Sequence, residues 1–281
     1  DRIGDALTGH PLVRYVNFTG SVAVGRHVMK VAADNITPVT LELGGNDAGL
    51  VLRDADLSGD FFQRLSRASF MSAGQICFAL KRLYVHRSRF DEVVDGLQAA
   101  LNKQVVGDGL LPQTTMGPLN NARQLKVVTG MIAEARARGA NVIELGQVPD
   151  EDLYAGGYFQ RPTLVLNADP ALSVVREEQF GPVLPLLSFD SEEEAVAMAN
   201  NDQFGLASSV WSADVGRALA LARRIEAGYT FINAHGPSAQ DGNGPFGGFM
   251  KSGIGRNFGY EGVVQFQGYH SIAGSGGSLH D

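Results

Sequence analysis

Hydrophobic and polar positions follow two periods along the chain, and the switches between them mark out its elements. Val13-Arg14-Tyr15-Val16-Asn17-Phe18 alternates with a period of two and is rich in β-branched and aromatic residues, which predicts a strand; Gly20-Ser21 then opens a helix reaching about Ala33. Strands follow over residues 39–43, stopped by Gly44-Gly45, and over 48–52. A helical stretch is predicted over 57–73, broken by Gly74. Residues 82–86 read as a strand. Ser88 and Asp91 form a capping box for a helix whose apolar face is Phe90, Val93, Val94, Leu97 and Leu101. Leu125, Val128, Ile132 and Ala135 mark another helix, and Ser191-Glu192-Glu193-Glu194 caps a third. Strands over 164–166, 183–189, 207–211 and 229–233 separate these helices, and this alternation predicts an α/β architecture with a mainly parallel sheet. Residues 263–269 read as a last strand, and Gly274-Ser275-Gly276-Gly277-Ser278 as a flexible tail.

Composition narrows the class. With 281 residues and 44% hydrophobic positions, the chain can bury a substantial core as one large domain or two smaller ones. The net charge of −7 comes from interspersed acids without a basic run, so nucleic acid is not an expected partner. No apolar run reaches bilayer length, and Asp1-Arg2-Ile3-Gly4-Asp5 lacks the pattern of a signal peptide; a soluble, cytoplasmic protein without a membrane partner is expected. A single cysteine excludes an internal disulfide framework and a multi-cysteine metal site. The six histidines lack ligand-like spacing, and no metal is expected.

That cysteine is Cys77, in Gly74-Gln75-Ile76-Cys77-Phe78-Ala79. A lone cysteine is on average a small buried hydrophobe, but this one follows a glycine break and precedes a strand, a junction where a side chain and its own N–H can both face a cleft. Glu42 stands between two leucines in Leu41-Glu42-Leu43-Gly44-Gly45-Asn46. It is either an outward-facing strand residue or a carboxylate that the glycines let a ligand approach, and apolar surroundings would raise its pKa toward that of a general base near neutrality. Phe18-Thr19-Gly20-Ser21-Val22-Ala23-Val24-Gly25 sets a glycine turn before a helix, where free N–H groups favour a phosphate, although it is neither the three-glycine dinucleotide fingerprint nor a P-loop. Glu177-Glu178-Gln179-Phe180-Gly181-Pro182 is an ordinary turn or a carboxylate for a ribose diol beside an aromatic ring.

Taken in order, these segments resemble the aldehyde dehydrogenase superfamily. Phe18 through Gly25 resembles its cofactor-phosphate segment, Glu42-Leu43-Gly44-Gly45 its glutamate motif, Gly74-Gln75-Ile76-Cys77 its cysteine motif and Glu177 through Pro182 its ribose-binding motif. Pro245-Phe246-Gly247-Gly248-Phe249-Met250-Lys251-Ser252-Gly253-Ile254-Gly255-Arg256 resembles its C-terminal signature. Asn46 departs from the lysine that many members carry there.

The resemblance implies a partial Rossmann-type cofactor domain over 1–43, an α/β catalytic domain over 44–245, and a segment over 246–281 bearing the signature, an oligomerisation strand and the tail. It implies NAD or NADP as cofactor, with Gly20, Ser21, Gly25, Leu43, Gly44, Glu178 and Phe180 binding it. Cys77 would add to an aldehyde, its backbone N–H would hold the oxyanion together with an asparagine, and Glu42 would activate the water that releases the acid. Ile76, Phe78, Phe246 and the loop 235–242 would line the substrate funnel, and a homo-oligomer, a dimer or tetramer, is implied. The family has a further segment before this point, carrying that asparagine and the lysine for the adenosine ribose. The chain is therefore expected to be a piece of a longer enzyme, with an apolar sheet edge and face exposed. A non-catalytic fragment and a cofactor-free cysteine hydrolase are the alternatives.

Overall fold

The structure, a computed structural model, describes residues 3–274. Its first unit is small: helix α1 (Gly4–Thr8), strand β1 (Val16–Thr19), helix α2 (Val22–Ala33) and strand β2 (Val39–Glu42). Ser21 caps α2, its hydroxyl accepting from the Val24 N–H. β1 and β2 are parallel, with Thr19 opposite Glu42, and Val28 of α2 packs on Val16, Leu41 and Leu43 as a small separate core.

The larger unit then alternates strand and helix. It runs β3 (Asp47–Val51), α3 (Phe61–Phe70), β4 (Leu80–His86), α4 (Phe90–Leu101), α5 (Ala122–Ala137), β5 (Asn141–Glu144) and α6 (Glu151–Gly156). β6 (Thr163–Leu166), α7 (Ser173–Arg176), β7 (Val183–Phe189), α8 (Glu192–Asn200), β8 (Phe204–Gly205), β9 (Ala207–Trp211), α9 (Val215–Ala222) and β10 (Tyr229–Ile232) continue it. Seven of these strands form one sheet in the order β10-β9-β3-β4-β7-β6-β5, parallel except where β5 meets β6. Leu50, Val51, Leu83, Val85, Leu184, Leu186 and Val210 are inaccessible to solvent, as expected where helices cover both faces of a parallel sheet. The α/β class read from the alternation of strands and helices is the class observed.

The chain finally folds back. β11 (Phe249–Met250) pairs with β8, and β12 (Gly253–Ile254) pairs antiparallel with β2, setting Gly253 opposite Glu42. Gly253 has φ +140°, and a Cβ there would lie 1.8 Å from the Leu41 carbonyl oxygen, so only glycine permits this return. The last helix, α10, spans Gly259–Val264.

Three local expectations are corrected. The strand expected over 263–269 is instead the end of α10 and a turn, with Phe266 N–H donating to Val263 O and Gln267 N–H to Val264 O. Gln265 holds this helical end: its Oε1 accepts from Thr40 and from the Arg256 N–H, and its Nε2 donates to Arg256 O. The capping box at Ser88 does not form, because the Ser88 hydroxyl lies 2.9 Å from His86 Nδ1 within a 3₁₀ turn that precedes α4. The helix expected over 57–73 is shorter, and the chain leaves it at Met71 for a segment in which Ser72, Ala73 and Gly74 all have positive φ. The tail named from the sequence falls, beyond Gly274, outside the described residues. Ser191 does cap α8, accepting from the Glu194 N–H.

The first unit leaves β1 at the outer side of its three-stranded sheet, beside a groove of about 810 Å³ whose walls include Ile3, Leu7, Val13, Val16 and Val24. Among the described residues no helix is long and apolar enough to cross a membrane.

Between the two sheets the chain is anchored by a buried polar network at Asn46. Its Nδ2 donates to Val175 O and to Asp202 Oδ2, while Arg82 donates to Asn46 O at 2.7 Å and pairs with Asp202 at 3.0 Å. The Arg82 and Asp202 side chains are only 4% and 2% exposed, so each depends on the other for charge compensation. Asp202→Ala is expected to cost about 3–5 kcal/mol in urea denaturation, because it strands the guanidinium. A loss below about 1 kcal/mol would show that the carbonyls around Arg82 suffice.

Candidate active site

Two strand ends and two loops converge on one cleft. It encloses about 540 Å³ between the β1–α2 turn (Thr19, Gly20, Ser21), the end of β2 with Leu43 and Gly44, the loop Gln75-Ile76-Cys77, Gln124 and Val127 of α5, and Glu178 and Phe180. The chain enters from the β1 side through a hydrogen bond from Gly20 N–H to Glu42 O, so the glycine turn and the glutamate strand are tied at their tips.

Glu42 is buried, and one of its oxygens, Oε1, has no hydrogen-bond partner. Burial pushes its carboxyl up to about 7, against the pull of the Arg256 guanidinium. The C-terminal return builds these surroundings: a Cβ at Gly247 would stand 2.8 Å from Glu42 Oε1, and Leu43 N–H donates to Ser252 O. Sequence reading gave the signature segment no such part, and missed Arg256 as a neighbour of Glu42.

Cys77 is partly exposed, in the loop between the left-handed segment and β4. Burial pushes its thiol up to about 11; the Lys81 ammonium and the Phe78 N–H pull it down, while Asp47 and Glu178 push it further up. Lys81 of β4 is almost fully buried, donates to Ile76 O and Cys77 O, and stands 3.9 Å from Glu178 Oε1. It was not singled out in the sequence, where it stood just before the strand expected over 82–86; the observed strand begins two residues earlier, at Leu80.

Glu178 accepts from the Gly45 N–H at 3.1 Å. Burial raises its pKa, and Lys81 and the Gly45 N–H oppose that. A Cβ at Gly44 would stand 2.1 Å from Glu178 Oε2, so the carboxylate occupies the space that the glycine leaves. Gln124 clamps the same loop by donating to the carbonyls of Gln179 and Phe180, and Phe180 takes a positive φ of 46°.

The expected site residues divide as follows. Gly20, Ser21, Glu42, Leu43, Gly44, Ile76, Cys77, Glu178 and Phe180 face the one cleft. Gly25 does not: it lies one turn into α2, and a Cβ there would meet Leu43 Cδ2 at 2.5 Å, so this glycine serves the close approach of helix to strand. Phe78 and Phe246 pack ring to ring, centroids 4.9 Å apart, and Phe246 is buried against Tyr229 and Phe258 as well. His235, from the expected funnel loop, is buried with Nε2 donating to Phe78 O.

The cleft has the features of a dinucleotide site. The first turn of α2 presents backbone N–H groups without intrahelical partners, and a carboxylate and an aromatic ring stand opposite on the Glu178–Phe180 loop. Residues 1–272 match the model of the aldehyde dehydrogenase family. A geranial dehydrogenase of Castellaniella defragrans is 38% identical over 270 residues, which are 96% of this chain and 55% of that protein. Among solved structures, a Mycobacterium tuberculosis aldehyde dehydrogenase complexed with NAD+ superposes with a TM-score of 0.88 at 38% identity, covering 95% of this chain and 54% of that one. Betaine aldehyde dehydrogenase of Staphylococcus aureus in complex with NAD+ gives a TM-score of 0.86 at 34% identity, covering 94% and 52%. The chain thus spans about half the length of the relatives it matches. Motif order, cleft geometry and a family match over nearly all its residues lead to one conclusion: this chain belongs to the aldehyde dehydrogenase family.

Proposed function

We propose that the chain carries the reaction centre for oxidising an aldehyde to a carboxylic acid with NAD or NADP, Cys77 being the nucleophile and Glu42 the general base. One observation carries this reading: a cysteine and a carboxylate with a pKa near neutrality share a cleft that also holds a helix N-terminus and a ribose-type carboxylate. Residues 1–43 are then the end of the cofactor domain, 44–245 the catalytic domain and 246–281 the segment that bears the C-terminal signature. A homo-oligomer belongs to the same proposal, supported by the exposed Tyr260, Val263 and Phe266 on and after α10.

Gly20 and Ser21 would hold the dinucleotide phosphates, Leu43 and Gly44 would line its path, Glu178 would accept from the ribose diol, and Phe180 would flank the ring. When bound, the dinucleotide supplies the acceptor for the hydride. The protein's own steps are the rest. A thiol with a pKa of about 11 is protonated at neutral pH, so addition of Sγ to the carbonyl carbon requires its proton to pass to solvent, and Glu42, the base in the cleft that titrates near 7, is kept for the water of the second step. The Cys77 N–H is the backbone donor for the oxyanion. Once the hydride has left, the acyl group is a thioester on Cys77; Glu42 then takes a proton from water as its oxygen attacks, and the acid leaves as the sulfur recovers a proton. Ile76 stands beside Cys77 in the cleft, and with Phe78 and Phe246 behind it offers an apolar wall to the aldehyde's substituent.

A second reading is a folded module that does not turn over aldehyde by itself. The apolar groove beside β1 favours it, since such a face in an active enzyme is ordinarily covered. Cofactor reduction by the purified chain with a panel of aliphatic and aromatic aldehydes separates the two, and turnover by the chain alone removes the second reading.

Three substitutions probe the site. Cys77→Ala should abolish aldehyde oxidation and any ester hydrolysis with the fold intact; substantial oxidation by the folded variant would refute the central claim. Glu42→Gln should slow steady turnover far more than the first burst of reduced cofactor, and the wild-type rate should climb from pH 6 to pH 8 as Glu42 ionises. Because the folded state raises this carboxyl above its unfolded value, ionisation destabilises the protein progressively as pH rises from about 4.5 to about 7. Glu42→Gln should therefore be more stable than wild type at pH 8, by up to about 3 kcal/mol, and not at pH 4. Equal thermal shifts at both values would mean that charge burial is not the cause. Finally, Gly44→Ala should displace the Glu178 carboxylate and weaken dinucleotide binding at least about tenfold by fluorescence titration, leaving alkylation of Cys77 unchanged.

A further inference from the structure

Lys81 is a cation buried within β4, a strand whose neighbouring positions are almost all buried. Its side chain is 3% exposed, and removing an ammonium from water costs several kcal/mol unless partners replace the solvent. The partners are specific. Nζ donates to Ile76 O and to Cys77 O, both at 2.8 Å, and lies 3.4 Å from Ala79 O and 3.9 Å from Glu178 Oε1.

The two short bonds involve the two peptide units that flank Cys77. A trans peptide is planar, with its N–H pointing opposite to its C=O. Drawing the Ile76 carbonyl onto Lys81 therefore turns the Cys77 N–H away from the ammonium, and drawing the Cys77 carbonyl onto it turns the Phe78 N–H away too. Turned that way, the Phe78 N–H lowers the pKa of the Cys77 thiol. A cation on each carbonyl also polarises the amide and strengthens its N–H as a donor. Gly45 closes the arrangement from the other side, since a Cβ there would come within 2.8 Å of Cys77 O.

We propose that Lys81 is a positioning residue that fixes both peptide units around Cys77, aiming the Phe78 N–H at the sulfur and the Cys77 N–H at the oxygen of the reacting carbonyl. This rests on the reading of Cys77 as the nucleophile. The ammonium touches neither substrate nor sulfur; it acts through two carbonyls, and its fourth neighbour, Glu178, links the same charge to the dinucleotide side of the cleft.

Because the chain has one cysteine, alkylation by iodoacetamide followed by intact mass reports Cys77 alone. In the full chain the logarithm of the alkylation rate should climb with pH between 7 and 10. Lys81→Met should give a parallel line displaced downward about tenfold, one pKa unit, with an unchanged far-ultraviolet spectrum. A lysine that merely packed the loop would, on removal, leave the thiol more accessible, so a coincident or faster line in the folded variant overturns the proposal. If Lys81→Met does not fold, Lys81→Gln keeps amide donors without charge and should slow alkylation roughly threefold, charge-assisted bonds being about twice as strong as neutral ones; an unchanged or faster rate again overturns it. Alkylation needs neither aldehyde nor dinucleotide, so the result stands whether or not the chain oxidises aldehydes.

Discussion

A carboxylate held out of water sets the terms for this structure. Glu42 sits at the end of β2 with an unpartnered oxygen and a pKa of about 7, a state that the fold must hold against the gain from hydrating the charge. What holds it is spread over the whole chain. β1 supports its strand on one edge, β12 returns from more than two hundred residues later to the other, and Gly253 lets that return come into backbone contact. A carboxylate kept in this state costs stability, and the stability it gives up is drawn from the large core around the seven-stranded sheet.

The proposed nucleophile is handled differently. Cys77 is on a loop, yet the loop is not loose: three consecutive left-handed residues lead into it, Gln75 donates to Ser72 O, and the Lys81 ammonium gathers its carbonyls. The Glu178 loop across the cleft is fixed in a similar way, by Gln124 on two carbonyls and by the Gly45 N–H on the carboxylate. Side chains from rigid strands and helices thus hold the backbone of both loops, which is how a loop site can reach the tolerance of a few tenths of an ångström that catalysis demands.

Asn46, the residue after the two motif glycines, has a structural role of its own. The side-chain amide donates to Val175 O and Asp202 while the backbone carbonyl takes the Arg82 guanidinium, so the residue is pinned through side chain and main chain alike. A short neutral amide suits this place because Arg82 already supplies the positive charge that Asp202 needs.

The sequence by itself determined the α/β class, most of the strands of the large sheet, and the identity of Cys77, Glu42 and Glu178 as residues worth watching. These are legible because periodicity and glycine punctuation are local properties, and a motif keeps its order along the chain. Tertiary structure decided the rest, since each remaining feature depends on two segments meeting. Gly25 is a packing residue because Leu43 lies against it, and the segment after Gly259 is helical because Gln265 reaches Thr40 and Arg256. Phe78 and Phe246 pair with each other behind the loop. Lys81, unremarkable in a strand pattern, becomes the anchor of the cysteine loop only when four backbone and side-chain oxygens converge on it, a property of three-dimensional proximity that no spacing along the chain encodes.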